Sequence, residues 1–231
     1  MQKDNRTVAG EVITQLKAMI CGGELAPGDR LPPERELAEQ LGVSRSSLRE
    51  GIRTLTLLGV VETRHGSGTA VAQDATTVLH APFEFLIGLE QPDLVDLYDA
   101  RRVIECAIAE RAALRHTDDQ VAQLWNTVDE MASAAESPAR FIDPNVAFHR
   151  ALAQMSGNVV LTRVMESLMV SIRLAIATTN AVGRDPSVTV AVHRAIAEAV
   201  ARQDPDAAVA AMHEHMDLAL SELETLETTT Q

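Results

Sequence analysis

The stretch GVSRSSLRE, residues 42–50, carries two arginines and three serines and almost no apolar surface. It lies between two segments whose apolar residues recur at helical spacing. On its N-terminal side Leu37, Ala38 and Leu41 form one side of a short helix that Gly42 ends. On its C-terminal side Leu48, Ile52 and Leu55 stand at i, i+4 and i+7. Val43 plugs the turn and Ser44 is suited to the N-cap of the second helix. Two short helices joined by a tight glycine-containing turn make a helix-turn-helix. With Leu48, Ile52 and Leu55 facing a core, Arg45, Ser46, Arg49 and Arg53 turn outward and Ser47 sits at the margin.

Working outward, Val8, Val12, Leu16, Met19 and Ile20 predict a helix ended by Gly22 and Gly23. The segment LAPGDRLPPERE then interrupts helical structure through Pro27, Gly28, Pro32 and Pro33. After Gly59 the period becomes extended, with VVETR and TAVA on either side of HGSG, a hairpin loop rich in glycine. Helix, helix-turn-helix and hairpin together read as a winged helix. Its second helix-turn-helix element places arginines where they fork onto guanine edges in a major groove, while serine hydroxyls and backbone N–H groups hold phosphates. Arg35 opens the preceding helix, and the hairpin tip of His65, Gly66 and Ser67 is small enough to approach a duplex closely. An ordinary solvated helix face is the plain alternative. The Gly-rich hairpin and the placement of Arg35 speak against it.

A chain of 231 residues has room for two modest domains. Its formal charge of -13 is unevenly spread. Residues 1–75 hold nine Lys and Arg against ten Asp and Glu, whereas residues 76–231 hold eleven against twenty-three. The acidity therefore belongs to the second part, and Arg45, Arg49 and Arg53 face only Glu50 across residues 42–55. Cys21 and Cys106 stand far apart with no CxxC, and neither an export signal nor a bilayer-spanning run is visible. These features predict a reduced, cytoplasmic protein.

From about residue 73 the chain turns to Ala-rich amphipathic helices, expected near 78–90, 93–115, 117–134, 143–156, 158–180, 186–203 and 204–226. Pro92, Pro138, Pro144, Pro186 and Pro205 fall at or near their starts. The expected fold is mainly α: a winged helix-turn-helix (α/β) over 1–74, followed by an all-helical antiparallel bundle over 75–231.

Residues 25–71, LAPGDRLPPERELAEQLGVSRSSLREGIRTLTLLGVVETRHGSGTAV, resemble the winged-helix head of the GntR family of bacterial transcription regulators. The resemblance implies DNA contacts by Arg35, Ser44, Arg45, Ser46, Ser47, Arg49, His65 and Gly66. It also implies a homodimer on a palindromic double-stranded operator.

Six histidines lie beyond residue 76. Asn145 and His149 stand at i and i+4, a spacing that lets two side chains meet one ion. His193 shares a face with Ile196, Ala197 and Val200. In the last helix His215 borders the stripe of Met212, Met216, Ala219 and Leu223, whereas His213 tends toward Asp217. Imidazoles from three helices suit Zn²⁺ or a similar ion with open positions; a satisfied core histidine is the plain alternative for each. Arg101 lies on the stripe of Leu94, Leu97, Ile104 and Ile108, where an inward guanidinium needs an anion. That anion is Glu105, one turn later, or a ligand.

Residues 93–220 resemble the FCD ligand-binding domain of the FadR-type branch of this family, through DARRVIE and FHRALAQMSGN. The resemblance implies a divalent metal, Zn²⁺ foremost, on Asn145, His149, His193 and His215, with Arg101 receiving the carboxylate of a small organic acid. The family pattern has aspartate where this chain has Asn145, which removes a charge. Asp143 is rotated away from His149 and does not replace it. Few aromatic residues argue against a stacking cage, and a hydroxy or sugar acid suits the chain better than a fatty acyl group. The expected function is a ligand-responsive regulator, a repressor, and not an enzyme. The alternatives are a metal-dependent hydrolase, in which the histidine-bound ion activates water, and an architectural DNA-binding protein without effector.

Overall fold

The computed structural model describes residues 8–64, 68–73, 76–90, 92–135, 137–180 and 185–229. Its contacts gather into two units, Met1–Pro82 and Phe83–Gln231, each with a hydrophobic core of its own.

In the first unit α1 (Val8–Cys21), α2 (Glu34–Leu41) and α3 (Arg45–Leu57) surround a core of Val12, Leu16, Leu37, Leu48 and Leu55. Gly51 lets α1 and α3 meet, because a Cβ there would stand 2.5 Å from Val12 Cγ1. Gly42 ends α2 at φ 66°, and the next N–H, from Val43, donates back to the Ala38 carbonyl. Ser44 caps α3 by accepting the Ser47 N–H at 3.1 Å.

The strands β1 (Val61–Arg64) and β2 (Gly68–Val71) pair antiparallel with Val61 opposite Val71. The segment expected only to break helices also joins this sheet. Arg30 bridges to Ala70, the Leu31 N–H donates to Thr69 O, and the Val71 N–H donates to Asp29 O. Pro32 and Pro33 lack N–H groups and end the pairing there. The hairpin tip, His65 to Ser67, lies outside the described residues.

The second part of the chain is helical: α4 (Thr76–Glu90), α5 (Leu94–Arg115), α6 (Asp118–Ser133), α7 (Pro138–Met155), α8 (Val159–Asn180), α9 (Pro186–Ala201) and α10 (Pro205–Thr229). α5 packs against α7, α9 and α10, while α6 packs on α7 and α9. Ile108, Leu124, Val128, Phe148, Ile196 and Met212 are completely or almost completely buried among them. α7 starts at Pro138, five residues before the expected start, so Pro144 lies inside the helix. Phe141, in the added turn, is buried in the core, and that packing offsets the cost of a proline inside the helix. Among the described residues, no helix is long and apolar enough to cross a membrane.

Candidate functional site

The first unit presents a polar face built on α2 and α3. Leu48 and Leu55 are buried, whereas Arg45, Ser46, Arg49 and Arg53 are exposed. The Ser44 hydroxyl lies 2.9 Å from that of Ser46 and 2.8 Å from that of Ser47, besides capping Ser47 N–H. One hydroxyl hydrogen and two lone pairs are matched by these three contacts, so the serines order one another without a ligand. Arg35 Nε–H donates to Glu39 at 3.3 Å, and Arg49 Nε–H donates to Glu34 at 2.8 Å. Both pairs are solvent-exposed, so exchanging the carboxylate for a phosphate costs about 0–1 kcal/mol. His65 and Gly66, expected to contact DNA, lie outside the described residues.

In the second unit α7, α9 and α10 bring His149, His193 and His215 together. Each offers a ring nitrogen within 4.8 Å of the others, and all three residues are buried. His213 is exposed. Phe148 packs its ring edge-on against His149 and His193, which limits their rotation. His149 Nδ1 lies 2.5 Å from Glu105 Oε2, and His193 Nδ1 lies 2.8 Å from the Thr189 carbonyl. A ring nitrogen facing a carboxylate or carbonyl carries the hydrogen, so both rings turn Nε2 lone pairs into the site. These two Nε2 atoms stand only 3.4 Å apart. Two facing lone pairs are reconciled by a proton or by a cation.

Asn145 precedes His149 by one helical turn and is buried; its Oδ1 has no hydrogen-bond partner among the described residues. Such an amide oxygen costs about 1–3 kcal/mol when left unmatched, and it is a competent donor to a divalent ion. The donor set therefore fits a borderline metal: three imidazoles and an amide oxygen, with Nδ1 of two rings already engaged. Asp143 is exposed and receives a hydrogen bond from Arg173 at 2.6 Å, away from the cluster.

Arg101 and Glu105 form a buried pair, Nε–H to Oε1 at 2.7 Å, with the guanidinium carbon 4.7 Å from the Tyr98 ring centre. Arg102 instead reaches Asp217 at 2.6 Å. Burial pushes the Glu105 carboxyl up, but Arg101 and His149 outweigh it and hold the group at about 2. The pairing with Arg101 was visible in the i, i+4 spacing. The second contact, to His149, was not, because it joins residues 44 positions apart through tertiary packing. Glu105 is a carboxylate beside the cluster, but its two oxygens face Arg101 and His149, so it orients a ring and does not collect protons from water.

An apolar hollow of about 280 Å³ lies elsewhere in the second unit, against Phe83, Ile87, Pro92, Leu97, Ile104 and Leu168. Asp96 is its one charged lining residue, which disfavours a carboxylate there.

A winged helix-turn-helix head followed by a helical domain with a buried polar site defines a DNA-binding transcription regulator. Residues 8–71 match the bacterial regulatory proteins of the gntR family, and residues 96–218 match the FCD domain. The transcriptional regulator YcbG of Bacillus subtilis is 30% identical over 92% of this chain and 88% of its own length. The Glc operon transcriptional activator of Escherichia coli is 33% identical over 73% of this chain and 68% of its own. The solved structure of a Streptococcus agalactiae GntR protein superposes with a TM-score of 0.72 at 29% identity, covering 92% of this chain and 98% of that one. The chain belongs to the GntR family of bacterial transcription regulators, with an FCD domain as its second part. Its relatives are regulators of transcription and not enzymes, and so is this protein.

Proposed function

We propose that this protein is a cytoplasmic, homodimeric repressor that releases a palindromic operator when its helical domain binds a small organic acid beside a divalent metal. The observation that carries this reading is the pair of Nε2 atoms 3.4 Å apart, each on a ring whose Nδ1 is already engaged. Asn145, His149, His193 and His215 would hold the metal. When bound, the ion supplies positive charge and open positions for an oxygen ligand, with Zn²⁺ the best match to imidazole donors. Arg101 gives Nε–H to Glu105 and carries further N–H donors on its Nη atoms for the acid's carboxylate.

On the DNA side, Arg45 and Arg49 would read base edges, with Arg35, Ser44, Ser46 and Ser47 on phosphates and His65 and Gly66 in the wing. An exposed apolar series on α4, Phe85, Leu86 and Leu89, supports a second subunit packing nearby. The functional division falls between residues 74 and 75, before α4, although the compact units meet at Pro82 and Phe83 within that helix.

The test is a mobility-shift titration at fixed salt with full-length protein purified without chelator or nickel resin, after metal analysis. About one equivalent of metal per chain and loss of operator affinity on adding a small hydroxy acid are expected. Less than a tenth of an equivalent, with no rebinding, removes the metal from the account. The Glc operon relative is described as an activator. A promoter fusion that falls in expression when this gene is deleted would assign the same sign here.

A further inference from the structure

We infer that Asn145 makes metal and acid binding mutually reinforcing: each tightens the hold of the site on the other. This deepens the proposed metal and acid site and rests on it. Among the described residues Glu105 is the one buried carboxylate, and its charge is already matched by Arg101, with Nε 2.7 Å from Oε1. The remaining donors are the Asn145 amide and three imidazoles, side chains that bring no negative charge to an ion. Asp143, two residues before Asn145, is held at the surface by Arg173, and Asp217 is drawn to Arg102.

A divalent ion on these donors would therefore keep its whole charge inside a helical core, where charge without a counter-charge is expensive. An aspartate at 145 would neutralise part of that charge permanently. With asparagine there, the missing negative charge must arrive with the ligand. Linkage then requires that the acid tighten metal binding by the same factor that metal tightens acid binding. The chain reports on two solutes together, since neither alone fills the site.

The experiment uses chelator-stripped full-length protein and measures Zn²⁺ affinity by competition with a chromophoric chelator. It is run in sodium chloride, and in sodium acetate and sodium L-lactate at matched ionic strength. Either carboxylate should tighten Zn²⁺ about tenfold or more in the wild type, within the roughly 5- to 150-fold span usual for coupled sites. Asn145→Asp should bind Zn²⁺ more tightly in chloride and show a much smaller carboxylate enhancement. Asn145→Ala, which adds no charge, should bind Zn²⁺ more weakly yet keep the enhancement; it also controls for misfolding of the aspartate variant.

Zn²⁺ binding that is equally tight in all three salts, or an enhancement undiminished in Asn145→Asp, overturns the inference and leaves the metal site standing. Failure of both wild type and Asn145→Asp to bind Zn²⁺ in any salt overturns the site itself.

Discussion

Glu105 connects the two parts of the candidate site that the sequence presents separately. Its oxygens meet a guanidinium from its own helix and an imidazole from α7 at 2.7 and 2.5 Å. Glu105→Ala leaves Arg101, 1% exposed, charged and uncompensated, a loss expected to cost about 3–5 kcal/mol. Urea denaturation in the presence of chelator measures this without any contribution from bound metal. Glu105→Gln keeps an acceptor and should cost less. The neighbouring Cys106 makes a contrasting case. Burial, and then the charge of Glu105, push its thiol up to about 11. A raised value means that the protonated thiol contributes stability at and below the ordinary value of 9.0, which is lost as pH rises through 11. At pH 8 the thiolate fraction is about one in a thousand. Iodoacetamide at that pH should label the exposed Cys21 and spare Cys106 in native protein, whereas denatured protein takes two labels by mass spectrometry.

At the level of elements, the head depends on a glycine that helical periodicity alone marks as a weakness. Gly51 sits in α3 where a Cβ would press on Val12, a β-branched side chain with little freedom to turn. Gly51→Ala should destabilise the head by about 1–3 kcal/mol despite alanine's better helix propensity. Val12→Ala in the same chain should recover part of that loss, which thermal melting of the single and double variants would show. On the outer face of α3 the relation reverses, because substitutions there leave the core untouched. Arg45→Ala and Arg49→Ala should each weaken operator binding by about 1–3 kcal/mol with unchanged melting. Glu34→Ala, which removes the 2.8 Å partner of Arg49, should strengthen binding in the same mobility-shift assay. Local spacing made the helix-turn-helix, the hairpin and the inward turn of His215 legible. It did not show the start of α7 at Pro138 or the pairing of Arg30 with Ala70, since both are decided by what the segment packs against. Proline chemistry pointed to Pro144 as a helix start, and the burial of Phe141 won.

For the whole molecule, a near-neutral head and a strongly acidic body have different tasks near DNA. Exposed charges are screened beyond about 8–10 Å at ordinary salt, so the arginine face of α3 acts locally while the net charge of -13 discourages indiscriminate binding. If acid in the body weakens the head's hold on its operator, the two equilibria are coupled, and coupling free energy runs both ways. Operator DNA must then weaken acid binding by the factor that acid weakens operator binding. Metal-loaded protein titrated with acid by calorimetry, with and without a saturating operator duplex, should show that factor, about 5–150. A scrambled duplex, too weakly bound to saturate the heads, should leave acid affinity unchanged, and chelated protein should lose the linkage with the acid site. Equal acid affinity with and without operator would mean that the helical domain's ligand does not govern the head, however tightly it binds.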